Sequence, residues 1–236
     1  MIDKFVRSAA EALAGVPDGA TVLLAGFGDV GMPMALLEGL IEQGAKDLVL
    51  VCNSGGRDGS PVARLLTLGR VRKLICTFIR AASDAGRMAA AGRLEVEVIP
   101  QGTLAERLRA AGAGIPAFYT PTAVGTELAT GRETRIIHGR EYLLEYALPV
   151  DYAFLRARRA DAFGNLQFHR AQRNFNPVMA TAARTAIVEV EEPILPAGAI
   201  DPDEVHTPGI FVHRMVEIPP PPAGLWPQKR QERARP

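Results

Sequence analysis

Residues 18–33 constrain this chain more than any other segment. An acidic turn, an apolar run, a glycine loop and a proline follow one another there in the order of a strand, a tight loop and a helix start. Val22, Leu23, Leu24 and Ala25 form the run, and Gly26, Gly28 and Gly31 let backbone come close to a ligand. Pro33 suits the first helical position, where its missing N–H has no partner to lose. The pattern predicts a ligand site at a strand's carboxyl end, with free amides at the helix start that favour an anion.

Gly26, Gly28 and Gly31 also satisfy G-x-G-x-x-G, the phosphate loop of dinucleotide-binding folds. That fingerprint needs an acidic residue about 20 positions on, at the end of the second strand, to bond the ribose. The second apolar run, 48–52, ends instead in Asn53, Ser54, Gly55 and Gly56. With the carboxylate missing, no nicotinamide or flavin site is expected.

Apolar runs and helical patterns alternate through the first half. Helices are expected over 4–14, 34–43, 61–68, 82–91 and 101–113, and strands over 22–25, 48–52, 73–78 and 94–99. Strands too apolar to face water, alternating with helices, predict an α/β fold whose mostly parallel sheet carries helices on both faces. The second half reads as a hairpin, 135–137 with 142–144, around His138, Gly139 and Arg140. Strands over 152–156, 165–168, 185–189 and 210–216 and a helix over 178–184 then complete the sheet in mixed, partly antiparallel fashion. One domain, 1–217, is expected, followed by a flexible tail, 218–236, with a proline run and the basic residues Lys229, Arg230, Arg233 and Arg235. Trp226 is a candidate tether for that tail.

Composition narrows the function. A 236-residue chain that is 47% hydrophobic fills one sizeable core. Its 27 basic and 26 acidic residues leave no charge excess to attract nucleic acid or a membrane surface, and no apolar run is long enough to span a bilayer. The charged start offers no signal-peptide core, and Asp3 and Glu11 argue against a mitochondrial leader, so the cytoplasm is the expected compartment. Cys52 and Cys76 end neighbouring apolar runs and read as small core residues in a reducing compartment. His138, His169, His206 and His213 share no face, so neither a metal nor a permanently bound cofactor is expected.

Several ordered blocks resemble one family. Residues 18–33 are similar to the alpha-chain signature of family I coenzyme A transferases: acidic-Gly, apolar residues, Gly-Gly-Phe, then Gly-x-Pro. Ala25 stands where the signature has its first paired glycine and adds a methyl group there. Residues 100–126, 161–166, 173–177 and 207–212 match further blocks, so the resemblance runs over about 3–217.

The resemblance implies an enzyme subunit that moves coenzyme A from an acyl-CoA thioester to a 3-oxo acid. In that family the nucleophile is a Glu in a Glu-Asn-Gly-type segment of the beta subunit. This chain contains no Glu-Asn pair, so it reads as half of an active site, completed by a beta subunit in an αβ or α2β2 assembly. By resemblance, the loop carrying Gly26, Phe27, Gly28 and Gly31 lines the acyl pocket. Asn53, at the end of the second strand, and Gln101, at the start of the helix after the fourth strand, bring amide donors for oxyanions, or serve as turn former and helix cap. Ser54 takes the place of a second family Asn with a shorter hydroxyl. Arg80 is either a surface residue or the partner of a distal substrate carboxylate. The segment 131–142 is similar to transferases for 3-oxoadipate, which favours that acceptor over acetoacetate, with succinyl-CoA as donor. Sugar-phosphate isomerases and ligand-sensing domains of related fold are the competing classes. A sensor should carry a basic recognition helix and an isomerase its own acid–base carboxylates, and neither is evident.

Overall fold

The computed structural model describes residues 3–218. The first half runs β1 (Phe5–Val6), α1 (Ala9–Ala12), β2 (Thr21–Leu24), α2 (Met34–Gln43), β3 (Leu48–Ser54), α3 (Pro61–Thr67), β4 (Val71–Phe78), α4 (Asp84–Ala90), β5 (Glu95–Val98) and α5 (Gln101–Gly112). The second half adds β6 (Ala117–Thr120), β7 (Thr134–Ile137), β8 (Arg140–Tyr146), β9 (Val150–Ala157), β10 (Arg159–Ala160), β11 (Leu166–Gln167), α6 (Asn176–Ala182), β12 (Ala183–Val190) and β13 (Arg214–Glu217).

The strands β1, β13, β12, β9, β2, β3, β4 and β5 lie side by side in that order in one eight-stranded sheet. Every pairing within it is parallel. The expected α/β architecture is therefore present. The antiparallel pairs anticipated in the second half form two small sheets, β6–β8–β7 and β10–β11, while β9, β12 and β13 join the main sheet in parallel. Burial explains the division. β9 and β12 are enclosed over most of their length, which a parallel strand under crossover helices requires, whereas β7 is mostly exposed. The β7–β8 hairpin turns at His138 and Gly139, both with positive φ (49° and 78°), the geometry of a two-residue turn that matches strand twist.

Alternating residues feed two cores. Val22, Leu24, Leu50, Cys52 and Leu74 pack against α1, α2, α3 and α4 on one face. Leu23, Val49, Val51, Ile75 and Leu155 pack with Leu104 and Leu108 of α5 and Met179 of α6 on the other. Helices thus cover both faces, as the uninterrupted apolar strands predicted. Ala25 is fully buried in the second core, so its extra methyl group is an ordinary packing atom. Cys52 and Cys76 are buried, in register on β3 and β4 and unbridged, and burial pushes both thiols up.

One helix is shorter than expected. The 4–14 segment begins as an edge strand because Phe5 and Val6 pair with Met215 and Val216 from the far end of the chain. Ser8 then caps α1, its hydroxyl accepting from the Glu11 amide. The expected 210–216 strand likewise opens with a 3-10 turn, Gly209–Phe211, before β13. Beyond Ile218 the proline-rich, basic tail and Trp226 lie outside the described residues.

Strand order locates the ligand cleft. From β2 the chain builds outward through β3 and β4 to β5, then returns to add β9, β12 and β13 on the other side of β2. Such a reversal opens a crevice beyond the carboxyl ends of the strands, and the glycine loop leaves β2 at that point.

Candidate active site

A cleft of about 590 Å3 lies beyond the carboxyl ends of β2, β3 and β4, with the start of α5 at its side. Asn53 and Ser54 reach it from the end of β3, Thr77 from the end of β4, and Gln101 from the first residue of α5. The Gln101 Nε2 donates to Asn53 Oδ1 at 3.0 Å. The Thr77 hydroxyl lies 3.1 Å from the same oxygen and 2.9 Å from the Asn53 carbonyl. With its oxygen occupied by these donors, Asn53 has its Nδ2 left over, and no group among the described residues accepts from it. The α5 cap is Pro100, which has no side-chain cap bond, so Gln101 spends its amide on Asn53 rather than on its own helix.

The glycine loop forms the opposite wall. Phe27 and Val30 close a tight turn, with the Phe27 N–H donating to the Val30 carbonyl at 3.0 Å. Gly28 sits between them at φ 60°, which a side chain rarely adopts, and the Phe27 ring is 54% exposed at the cleft. Asp29 pairs with Arg57 of the loop after β3, an ion pair on the rim in which both side chains are exposed. Gly26 and Gly31 do not line the cleft. A Cβ on Gly26 would meet the Met32 backbone at 3.0 Å, and one on Gly31 would meet the Gln172 carbonyl at 2.5 Å.

Behind the loop stands a polar framework from the second half, half-buried at Asn174 and buried at Asn176. The Asn174 Nδ2 donates to the Val30 carbonyl at 2.9 Å, and the buried Asn176 donates to the Gly31 carbonyl at 3.1 Å. Asn176 Oδ1 in turn accepts from the Arg156 N–H at 2.9 Å. The block at 173–177 therefore acts by holding the loop. The block at 161–166 is structural as well: buried Asp161 accepts from the N–H groups of Phe163 and Asn165 and closes a turn.

The start of α2 departs from expectation. Its first amides are not free for an anionic ligand, because Ala35 and Leu36 donate to the buried carboxylate of Glu189 at 2.8 and 3.1 Å. The protein's own carboxylate already occupies the position that the sequence pattern assigned to a ligand.

Arg80 and Arg57 are the arginines of the cleft. Arg57 is paired with Asp29, while the Arg80 guanidinium has no hydrogen bond or ion pair among the described residues. Nearby Asp58 is held below the usual carboxylate range by the Asp84 N–H and by Arg87, with a smaller pull from Arg80. Of the residues proposed from sequence, Phe27, Gly28, Asn53, Ser54, Arg80 and Gln101 converge on the cleft, while Gly26 and Gly31 shape the loop from behind. Thr77 escaped the sequence reading, although the strand-end logic that singled out Asn53 applies equally to it. Asn176 and Glu189 escaped it because their partners lie far away in the chain. Among the described residues no cluster of His, Cys, Asp and Glu is arranged to hold a metal ion, and no helix is long and apolar enough to cross a membrane.

A cleft that sets amide and hydroxyl donors and an arginine beside a glycine loop fits acyl-transfer chemistry. The family described as Coenzyme A transferase matches residues 6–218, and the chain belongs to it. The chain is 47% identical over 220 residues to the A-type subunit of 3-oxoadipate CoA-transferase from Pseudomonas putida, covering 92% of this chain and 95% of that one. It is 50% identical over 214 residues to the A-type subunit of succinyl-CoA:3-ketoacid coenzyme A transferase from Xanthomonas campestris pv. campestris (strain B100), covering 90% and 88%. Its fold is similar to that of an acyl-CoA transferase from E. coli O157:H7, with a TM-score of 0.80 and 22% identity over 92% of this chain and 47% of that chain. Family membership sets aside the isomerase and ligand-sensing readings and makes the chain part of a CoA-transferring enzyme.

Proposed function

We propose that this chain is the alpha-type half of a heteromeric transferase that moves coenzyme A from succinyl-CoA to a 3-oxo acid, 3-oxoadipate before acetoacetate. The nucleophilic glutamate then lies on a beta-type partner, in an αβ or α2β2 assembly. The observation that carries this reading is the character of the cleft: it presents amide and hydroxyl donors, and none of the described glutamates lines it.

The chemistry follows from those donors. The partner's carboxylate attacks the thioester carbonyl of succinyl-CoA, and the CoA thiolate leaves to give a mixed anhydride. The thiolate then attacks the glutamyl carbonyl and releases succinate, parking CoA as a glutamyl thioester. The 3-oxo acid carboxylate repeats both steps in reverse order and regenerates the glutamate. Each attack passes through a tetrahedral oxyanion, and the unpartnered Asn53 Nδ2 is the donor for it, held in orientation by Gln101 and Thr77. Ser54 adds a shorter hydroxyl donor at the same wall. Phe27 and Gly28 bound the acyl pocket, and Arg80 is the cleft cation free to pair with a second carboxylate on the acceptor. The acyl-CoA thioester is a substrate here, with no permanently bound cofactor required. The relatives' names support 3-oxoadipate and other 3-oxo acids alike.

The test is an assay with succinyl-CoA and 3-oxoadipate, with the chain alone and with its beta-type partner. The expected result is turnover only when both chains are present. Robust turnover by the isolated chain overturns the half-site reading.

A further inference from the structure

Of the buried acids in the second half, Glu189 is the one bonded to the helix start beyond the glycine loop. Glu189, near the end of β12, is fully buried. Its Oε2 accepts from the first amides of α2, and its Oε1 accepts from Arg156 Nη1 on β9 at 3.2 Å. The cap position of α2 is Pro33, which has no side-chain cap bond, so Glu189 supplies the cap from 153 positions further along the chain.

The groups facing Glu189 are few. β9 contributes Arg156, whose Nε also donates to Glu191 at 2.6 Å. α2 contributes backbone amides, and Gln172, which donates to Glu191, is neutral. Burial pushes the Glu189 carboxyl up to about 7, against the pull of Arg156 and the α2 amides. A buried acid with several specific donors is held in one place, and removing a partner leaves a buried group uncompensated.

The cap is coupled to the cleft by contact. Met32, which precedes Pro33 and α2, lies so close to Gly26 that a Cβ there would meet the Met32 backbone at 3.0 Å, so the entry and exit of the glycine loop run side by side. Met32 thus gives the start of α2 a short path to the turn that presents Phe27 and Gly28 to the cleft. We propose that Glu189 is a positioning residue for CoA transfer: by capping α2 from β12, it sets the conformation of the glycine loop at the acyl pocket. The kinetic part of this inference rests on the proposed function, while the loop-setting part does not.

Glu189→Gln separates the two. The amide keeps the side chain's length and one acceptor oxygen for the α2 amides but turns an NH2 donor toward the Arg156 guanidinium, itself a donor. In the full chain with its partner, hydrogen exchange over residues 26–36 should accelerate at least tenfold, while exchange in α5 stays the same. The value of kcat/KM for succinyl-CoA should fall about tenfold, mainly in kcat, and a wild-type change in rate near pH 7 should flatten in the variant. Unchanged exchange over 26–36 overturns the inference. So does faster exchange with kcat, KM and pH profile unaltered, which would make Glu189 a stability cap alone. If the wild-type complex shows no transferase activity, the proposed function fails, and faster exchange in the variant still supports loop setting.

Discussion

The glycine loop is held differently on its two sides. On the cleft side the hold is the Asp29–Arg57 ion pair, with side chains 43% and 71% exposed. On the inner side it is Asn174, Asn176 and Glu189, which bond the backbone of Val30, Gly31, Ala35 and Leu36. An exposed ion pair is worth about 0–1 kcal/mol and weakens with salt. A buried backbone group left unpaired costs about 1–3 kcal/mol, and the inner side binds two such groups, at Gly31 and Leu36. The inner framework therefore sets the shape of the loop, and the rim only trims it. A substitution's effect should follow from the side on which it acts.

The sharpest test is Gly31→Val. At φ 72° any side chain is strained, and its Cβ would sit 2.5 Å from the Gln172 carbonyl, so the framework must move. Loss of activity together with a fall in melting temperature of more than about 5 °C is expected, a shift that corresponds to roughly 2 kcal/mol in a chain of this size. A variant with normal kinetics and melting temperature would refute the inner framework as the controlling side.

Gln101→Ala acts inside the cleft, away from both holds. The residue is exposed and its side chain bonds only Asn53, so assembly and melting temperature should hold. Turnover should drop at least tenfold and toward a hundredfold with either acceptor, because Asn53 loses the partner that orients its amide. Near-normal turnover would reduce Gln101 to a helix-start residue.

Arg80→Met reads selectivity rather than rate. The value of kcat/KM for 3-oxoadipate should fall about tenfold, the lower end of what a charge-assisted pair supplies, while that for acetoacetate barely changes. Equal losses would assign Arg80 a structural or CoA-binding role. A wild type that already prefers acetoacetate would remove 3-oxoadipate as the favoured acceptor.

The smallest effect belongs to the rim. Asp29→Asn should change turnover less than about twofold and the melting temperature by no more than about 2 °C, and added salt should abolish the difference. A larger, salt-independent loss would reverse the ranking of the two sides.

Glu189 also gives the inner framework a pH signature. Its carboxyl lies near 7 in the fold, against an ordinary value of 4.5, so the native state keeps the proton longer than the unfolded chain does. Its contribution to stability is thus fully present below about 4.5 and declines as pH rises toward 7. Unfolding of wild type and Glu189→Gln between these limits should show the variant gaining relative stability with rising pH. A difference independent of pH would mean that the buried carboxyl titrates normally.

Much of the cleft's lining was legible in local patterns. Asn53 and Gln101 stood out because amide side chains at strand-to-helix connections face the cleft of a parallel sheet, and both reach it. The same rule would have found Thr77. The 4–14 segment shows the limit: its apolar spacing favours a helix, yet Phe5 and Val6 pair with β13 because the sheet edge lies there. The helix start at Pro33 was also readable, but the group that binds its amides was not.

The chain by itself determines the strand, the tight loop and the helix start of residues 18–33, together with the apolar alternation that fills two cores. Glycine, proline and apolar preferences act within a few residues of where they stand. Only the tertiary structure decides that Glu189, 153 positions beyond Leu36, takes the α2 amides, and that Asn176 holds Gly31. Those bonds depend on β12 lying beside β9 and β9 beside β2, an order that comes from the packing of the whole sheet and that no local preference encodes.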